Sequence, residues 1–334
     1  MLIPDERPST SPKREGAIAA IGLLVILSFS ITLVQDWVGR SAFYAHEVEA
    51  RRLALHESIL HNRLPAGAQT WKDVGGNSVN TRVAVVYFAE GARRLTGRDV
   101  NDIYRVIDSI ALFSSLIVLF IYLQTFVPPV YALVGVLYLG AVLPLTSLFG
   151  YFHPWDRVSL LAWTTLLLLL RVGRFGAFTA LLAFSVTIKF DTILLPALYW
   201  LVRVTRRNWP AVTAQTAALF ALTFGMWLAL LWAFPSGFTG ISPLSQIRVN
   251  VGDFRSLLVA YPPLIGFGAP LILAALGLRH ESRFAVASAG FGLLLLTVFA
   301  VLSNFREFRA ELPALILILP PALGTLVRAN PHPV

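Results

Sequence analysis

Residues 175–202 read FGAFTALLAFSVTIKFDTILLPALYWLV, and how this run is divided decides the layout of the whole chain. The run is 28 residues long. An α-helix crosses a hydrocarbon core of ~30 Å with about 20 residues, so the run is too long for one untilted span. Lys189-Phe190-Asp191 also cuts it, and a charge pair inside lipid is costly. The reading is therefore two short helices that meet at a hairpin, with Lys189 and Asp191 at its tip. Reading one span instead would invert the side of every later turn.

Outward from this run, the sequence is a string of apolar segments. The chain has 334 residues, 56% hydrophobic and 13% charged, with mean hydropathy +0.70. A soluble domain of this length needs more charge to cover its surface. The expectation is an all-α polytopic transmembrane bundle of about ten spans. The spans fall at 16–35, 103–126, 130–152, 158–170, two in 175–202, then 210–234, 257–278, 284–303 and 312–326. The first follows Lys13 and Arg14 and reads as an uncleaved signal anchor, which puts the N-terminus in the cytoplasm. Residues 1–15 and 329–334 are then cytoplasmic tails, 36–104 a large extracytoplasmic loop, and 105–328 the membrane bundle. A bacterial inner membrane is the expected location.

The net charge of +9 does not imply a nucleic-acid partner, because basic residues at membrane turns follow the orientation rule for inner loops. Arg171, Arg174, Arg203, Arg206, Arg207, Arg279, Arg283 and Arg328 all fall on the inner side of the ten-span layout. With no cysteine, the chain has no disulfide, thiolate metal site or Cys nucleophile.

The long polar stretch is 36–105, with ten of the 27 basic residues and eight of the 18 acidic ones. Two amphipathic helices are expected in it, at 43–64 and 79–95, lying along the interface. The outer turns bring further charge to the same face: His153-Pro154-Trp155-Asp156-Arg157, Lys189 with Asp191, a loop at 235–256, and a polar turn at 304–311 holding Arg306, Glu307, Arg309 and Glu311. Asp108 lies one turn below Arg105, close enough to pair with it. Each group also has a plain reading. His46 and Glu49 share one helical face and could hold a metal, or could be the solvated side of an interfacial helix. Lys189 and Asp191 could simply cap two short helices. A hydrophobic body with a charged, aromatic outer rim suits a lipid with an anionic head group. Acids there can act as general base or ligate a divalent cation, and arginines can clamp phosphate.

The layout resembles the GT-C superfamily of polytopic glycosyltransferases. The run from Glu49 through Ala50, Arg51, Arg52, Leu53, Ala54, Leu55, His56, Glu57, Ser58 and Ile59 to Leu60, followed by Pro65, is similar to that superfamily's first-loop helix. Leu95-Thr96-Gly97-Arg98, running on to Arg105, is similar to the lead-in to its second span. The resemblance implies a transferase that takes a sugar from a polyprenyl-phosphate-linked donor at the extracytoplasmic face. Glu49 would be its catalytic acid residue, Glu47 the second, and Asp156 would assist. Arg105, Arg157, Lys189, Asp191, Arg306, Glu307 and Arg309 would hold the substrate. Two rivals stand beside this expectation: a transporter or flippase, which needs buried charge along a path or repeated broken helices, and a non-catalytic scaffold of envelope polysaccharide assembly.

Overall fold

A computed structural model describes residues 14–41, 45–62, 81–147, 153–234, 243–254, 257–302 and 307–330. Among them the fold is all-helical, without a strand: α1 (Arg14–Ser41), α2 (Ala45–Leu60), α3 (Val83–Thr96), α4 (Val100–Gln124), α5 (Pro129–Val142), α6 (Asp156–Val172), α7 (Phe175–Val186), α8 (Leu195–Arg203), α9 (Trp209–Ala233), α10 (Pro243–Phe254), α11 (Leu257–Gly277), α12 (Arg283–Leu302) and α13 (Phe308–Ala329). Among the described residues seven helices are long and apolar enough to cross a membrane: α1, α4, α5 with its 3-10 continuation to Ser147, α9, α11, α12 and α13. Such a set indicates an integral membrane protein.

The run at 175–202 is two helices. α7 stops at Val186, and a 3-10 turn at Phe190–Leu194 leads into α8, with Pro196 in its first turn. The two arms run back alongside each other. Phe175 and Phe178 at the start of α7 meet the Tyr199 ring near the end of α8, at 5.4 and 6.1 Å between centroids. Near the tip, Ser185 Oγ donates to Thr192 Oγ1 at 2.8 Å. At 12 and 9 residues the arms are ~18 and ~14 Å long. α9 then runs antiparallel to α8: Trp200 Nε1 donates to Thr213 Oγ1, and Phe190 at the tip stacks on Trp227 further along.

These contacts sort the helix termini onto two ends of the bundle. At one end Arg171 donates to the Thr125 carbonyl and lies over the Phe126 and Phe284 rings. There too Arg203 donates to the Leu170 carbonyl, Arg283 to the Leu201 carbonyl, and Arg328 pairs with Glu281. The other end holds the starts of α4, α6 and α13 and the hairpin tip. The first is the arginine end; the second carries the candidate site.

α13 is the core. It is apolar nearly all round, and every residue from Phe308 to Gly324 is buried. It packs against α11, α12, α6, α5 and α4. Glycines let its neighbours approach: a methyl at Gly266 on α11 would overlap the Phe308 ring, and one at Gly292 on α12 would sit 3.1 Å from the Ala314 carbonyl. A second, smaller core lies at the site end, where Leu55 and Ile59 of α2 and Val85, Val86 and Ala89 of α3 pack on Ile103, Tyr104, Trp155 and Ile188.

Several sequence expectations change. The interfacial helices are Ala45–Leu60 and Val83–Thr96, shorter than 43–64 and 79–95. The loop expected at 235–256 contains α10, tied to α12 by Asn250 Nδ2 donating to the Ala300 carbonyl. The polar turn expected at 304–311 is already helix from Phe308, so Arg309 and Glu311 lie in the first turn of the central helix. The loop glycines at 75–76, Pro65, Arg306 and the N-terminal tail lie outside the described residues.

Candidate functional site

Three elements build the site. α6 begins at Asp156, directly after His153-Pro154-Trp155. The hairpin tip supplies Lys189 and Asp191, and the entry to α13 supplies Glu307 and Arg309. Arg309 Nε lies 3.2 Å from Asp156 Oδ2, and Arg309 Nη2 donates to Glu307 Oε2 at 2.9 Å. Lys189 Nζ lies between Asp191 Oδ2 at 3.3 Å and Asp156 Oδ1 at 3.8 Å. Trp163 Nε1 donates to the other Asp191 oxygen at 3.3 Å. The side chains of Asp156, Lys189, Asp191 and Arg309 are 11, 12, 7 and 4% exposed. Charges this far from water persist only where opposite charges compensate them.

A stacked wall closes one side. The His153 and Trp155 rings lie parallel with centroids 4.9 Å apart, and the Arg82 guanidinium sits 4.8 Å from the Trp155 ring. Burial, and then the positive charges of Arg309, Arg82, Lys189 and Arg51, push the His153 pKa well below its ordinary value. His153 is therefore neutral at pH 7.

The residues of the long polar stretch form a second centre. Glu49 on α2 pairs with Arg105 on α4, and Arg105 Nη1 also reaches Asp102 at 3.1 Å. Arg105 does not pair with Asp108, as the i, i+3 spacing had suggested. Asp108 instead lies within electrostatic reach of Arg52, Arg157 and Asp156. Arg52 in turn is within reach of Glu49 and sits 5.8 Å from the Tyr104 ring. Arg157 Nη2 donates to Thr146 Oγ1 at 3.2 Å. Thus Arg52, Asp108 and Arg157 form a seam between the Glu49 centre and the Asp156 centre. Glu47 is exposed in the first turn of α2, facing neither.

Below α2 lies a clamp that sequence reading passed over. Glu90 on α3 accepts from Arg93 Nε and Arg94 Nε, each at 2.6 Å. His56 Nε2 faces it at 3.4 Å, while His56 Nδ1 is 2.8 Å from the Tyr104 hydroxyl. The spacing of Glu90 to Arg93 and Arg94, i+3 and i+4 on one helix, was the available signal.

Some buried polar atoms at the site have no hydrogen-bond partner among the described residues: Trp155 Nε1, Asp108 Oδ1 and Glu311 Oε2. Among the described residues the ion pairs of Asp156 are at 3.2 and 3.8 Å, with Arg157 also in electrostatic reach. Buried polar atoms without a protein partner are open to water or a polar ligand. The carboxylates here face cations rather than one another. No group of three or more His, Asp or Glu side chains converges as metal ligands among the described residues, and the His46 side chain lies outside them. Comparison with protein-family models, curated proteins and solved structures found no match.

Proposed function

We propose that this protein is a membrane-embedded glycosyltransferase-like enzyme that takes a sugar from a lipid-linked phosphate donor and passes it to an acceptor at the site end. In this reading α1, α4, α5, α6, α9, α11, α12 and α13 cross, and the two hairpin arms, each too short to cross alone, enter and return on the arginine side. The arginine end and both termini face the cytoplasm of a bacterial inner membrane, which agrees with the concentration of arginine there. The observation that carries the reading is the Asp156–Lys189–Asp191–Arg309–Glu307 cluster. A transferred sugar leaves behind a phosphate whose charge grows in the transition state, and preplaced cations lower that barrier. Arg309, Lys189 and Arg157 take that role. The base that deprotonates the acceptor hydroxyl is Glu49 or Asp156. Glu49, about one-third exposed, reaches an acceptor arriving from water, whereas Asp156 lies deeper.

The test uses the purified full chain in proteoliposomes with decaprenyl phosphate and radiolabelled decaprenyl-phosphate-linked hexoses and pentoses. Decaprenyl phosphate should bind, and at least one labelled sugar should be transferred. Glu49→Gln should abolish transfer with expression intact. Full activity in Glu49→Gln would move the base to Asp156. If no donor is consumed and decaprenyl phosphate does not bind, the reading fails.

A further inference from the structure

A cleft of about 320 Å³ opens at the arginine end, far from the cluster just described, between the end of α6, both arms of the hairpin and the start of α9. Its floor is apolar and aromatic: Leu169, Leu170, Phe175, Phe178 and Val212, with the Tyr199 ring on one wall. Its rim is polar. Tyr199 donates to Gln215 Oε1 at 2.5 Å, and Asn208 and Arg203 complete the opening.

Arg203 is set there by the backbone. Its Nη2 donates to the Leu170 carbonyl at 2.8 Å, satisfying the C-terminus of α6. The guanidinium passes over Gly173, where a Cβ would lie 3.2 Å from Nη2 and where φ is +77°, a left-handed conformation that suits glycine. Among the described residues the remaining Arg203 donors have no protein acceptor. Arg174 precedes α7, and Arg206 and Arg207 precede α9, all three exposed beside the same opening.

Among the described residues no acid pairs with Arg174, Arg203, Arg206 or Arg207. Between Asp156 and Asp191, and again from Asp191 to Asp253, the chain contains no acid at all. Glu281, the acid described at this end, pairs with Arg328. A basic opening over an apolar, aromatic floor between membrane helices matches one ligand chemistry: a phosphate monoester or diester carried on an acyl chain.

We propose that this cleft binds the head group and upper acyl chain of an anionic phospholipid, with Arg203 on the phosphate and Arg206 and Arg207 supplying the surrounding field. The ligand holds the hairpin against α9 from the side opposite the charge cluster. The proposal does not depend on the glycosyltransferase reading.

Native mass spectrometry of the full chain, released from detergent, tests it with phosphatidylglycerol, phosphatidylcholine and sn-glycerol 3-phosphate as probes. Phosphatidylglycerol should bind at least about ten-fold more tightly than phosphatidylcholine. Arg203→Gln, which removes the phosphate contact both lipids share, should weaken the binding of both by about ten-fold. The exposed pair Arg206→Gln/Arg207→Gln, which leaves the fold untouched, should weaken the preference for phosphatidylglycerol by about five-fold per arginine. Glycerol 3-phosphate should not displace the lipid. Equal binding of both lipids, or an unchanged preference in the double variant, overturns the proposal. Displacement by glycerol 3-phosphate at matching concentration also overturns it, and would make the cleft a site for a soluble phosphate compound.

Discussion

Arg309 and Asp156 lie 153 residues apart in sequence, yet their Nε and Oδ2 atoms are 3.2 Å apart, joining the first turn of the central helix α13 to the first turn of α6. Lys189 from the hairpin tip completes the join at 3.8 Å. With only 4% of its side chain exposed, Arg309 cannot exchange this partner for water. Removing one member of a buried pair strands the other, at a cost of about 3–5 kcal/mol. Arg309→Leu should therefore lower the thermal midpoint in detergent sharply, while Asp156→Leu/Arg309→Leu together should recover much of it. An unchanged midpoint in the single variant would mean that water already solvates Asp156.

Glu90 gives a pH signature. Hydrogen bonds from Arg93 and then Arg94 hold its carboxyl at about 2 instead of the ordinary 4.5, against the opposing effect of burial. A carboxyl lowered on folding stabilises the fold above its unfolded value, and that contribution is lost as pH falls through the folded value. The difference in thermal midpoint between the parent and Glu90→Gln should be full above pH 4.5, shrink below it, and vanish near pH 2. Arg93 and Arg94 are 48 and 71% exposed, so the effect should also weaken with salt. A difference that persists unchanged at pH 2 would show that Glu90 acts by packing alone.

His56 adds a second pH signature, also on the acid side. Burial lowers its pKa below 6.5, outweighing the hydrogen bond and charge of Glu90, which act upward. The hydrogen bonding assigns the neutral tautomer with Tyr104 Oη donating to Nδ1 and Nε2–H directed at Glu90. The folded state then binds fewer protons than the unfolded one, so stability is full above pH 6.5 and declines below it. His56→Gln should flatten that decline below pH 6.5. An equal slope in the variant would assign it to another group.

The break in residues 175–202 was legible because Lys189 and Asp191 interrupt an apolar run, and length alone forbade one straight span. The same local logic failed at 304–311. That stretch read as a polar turn, whereas Arg309 lies in the first turn of the buried helix, where Asp156 waits across the gap. Spacing along a helix proposed Asp108 for Arg105, but Glu49 on a separate helix took it. Sequence periodicity reports which face is apolar. It does not report which distant charge a buried charge will meet.

Close packing around α13 is testable at Gly266. A side chain there meets the Phe308 ring, which is 1% exposed and also contacts Phe267 at 5.8 Å. The ring cannot swing into solvent, so α11 must move. Gly266→Val should cost about 1–3 kcal/mol and shift the Arg309 turn just beyond Phe308. Gly268→Val, where a Cβ meets nothing within 4 Å, is the matched control and should be near neutral. Equal effects from both would remove the packing argument.

The hairpin carries the most consequential prediction, because it decides which termini share a side. With no native cysteine, single introduced cysteines can be read without background. Ser159 and Thr192 are only 4 and 1% exposed, so labels belong elsewhere. Thr96 at the end of α3 is exposed at the site end, and Thr205 and Ser282 are exposed at the arginine end. With Thr96→Cys, Thr205→Cys or Ser282→Cys in intact cells, an impermeant maleimide should label Thr96→Cys alone. The other two should react only after lysis. If Thr205→Cys labels together with Thr96→Cys, α7 and α8 make one crossing. Arg309 would then be carried away from Asp156, and both the charge cluster and the transferase reading built on it would fall.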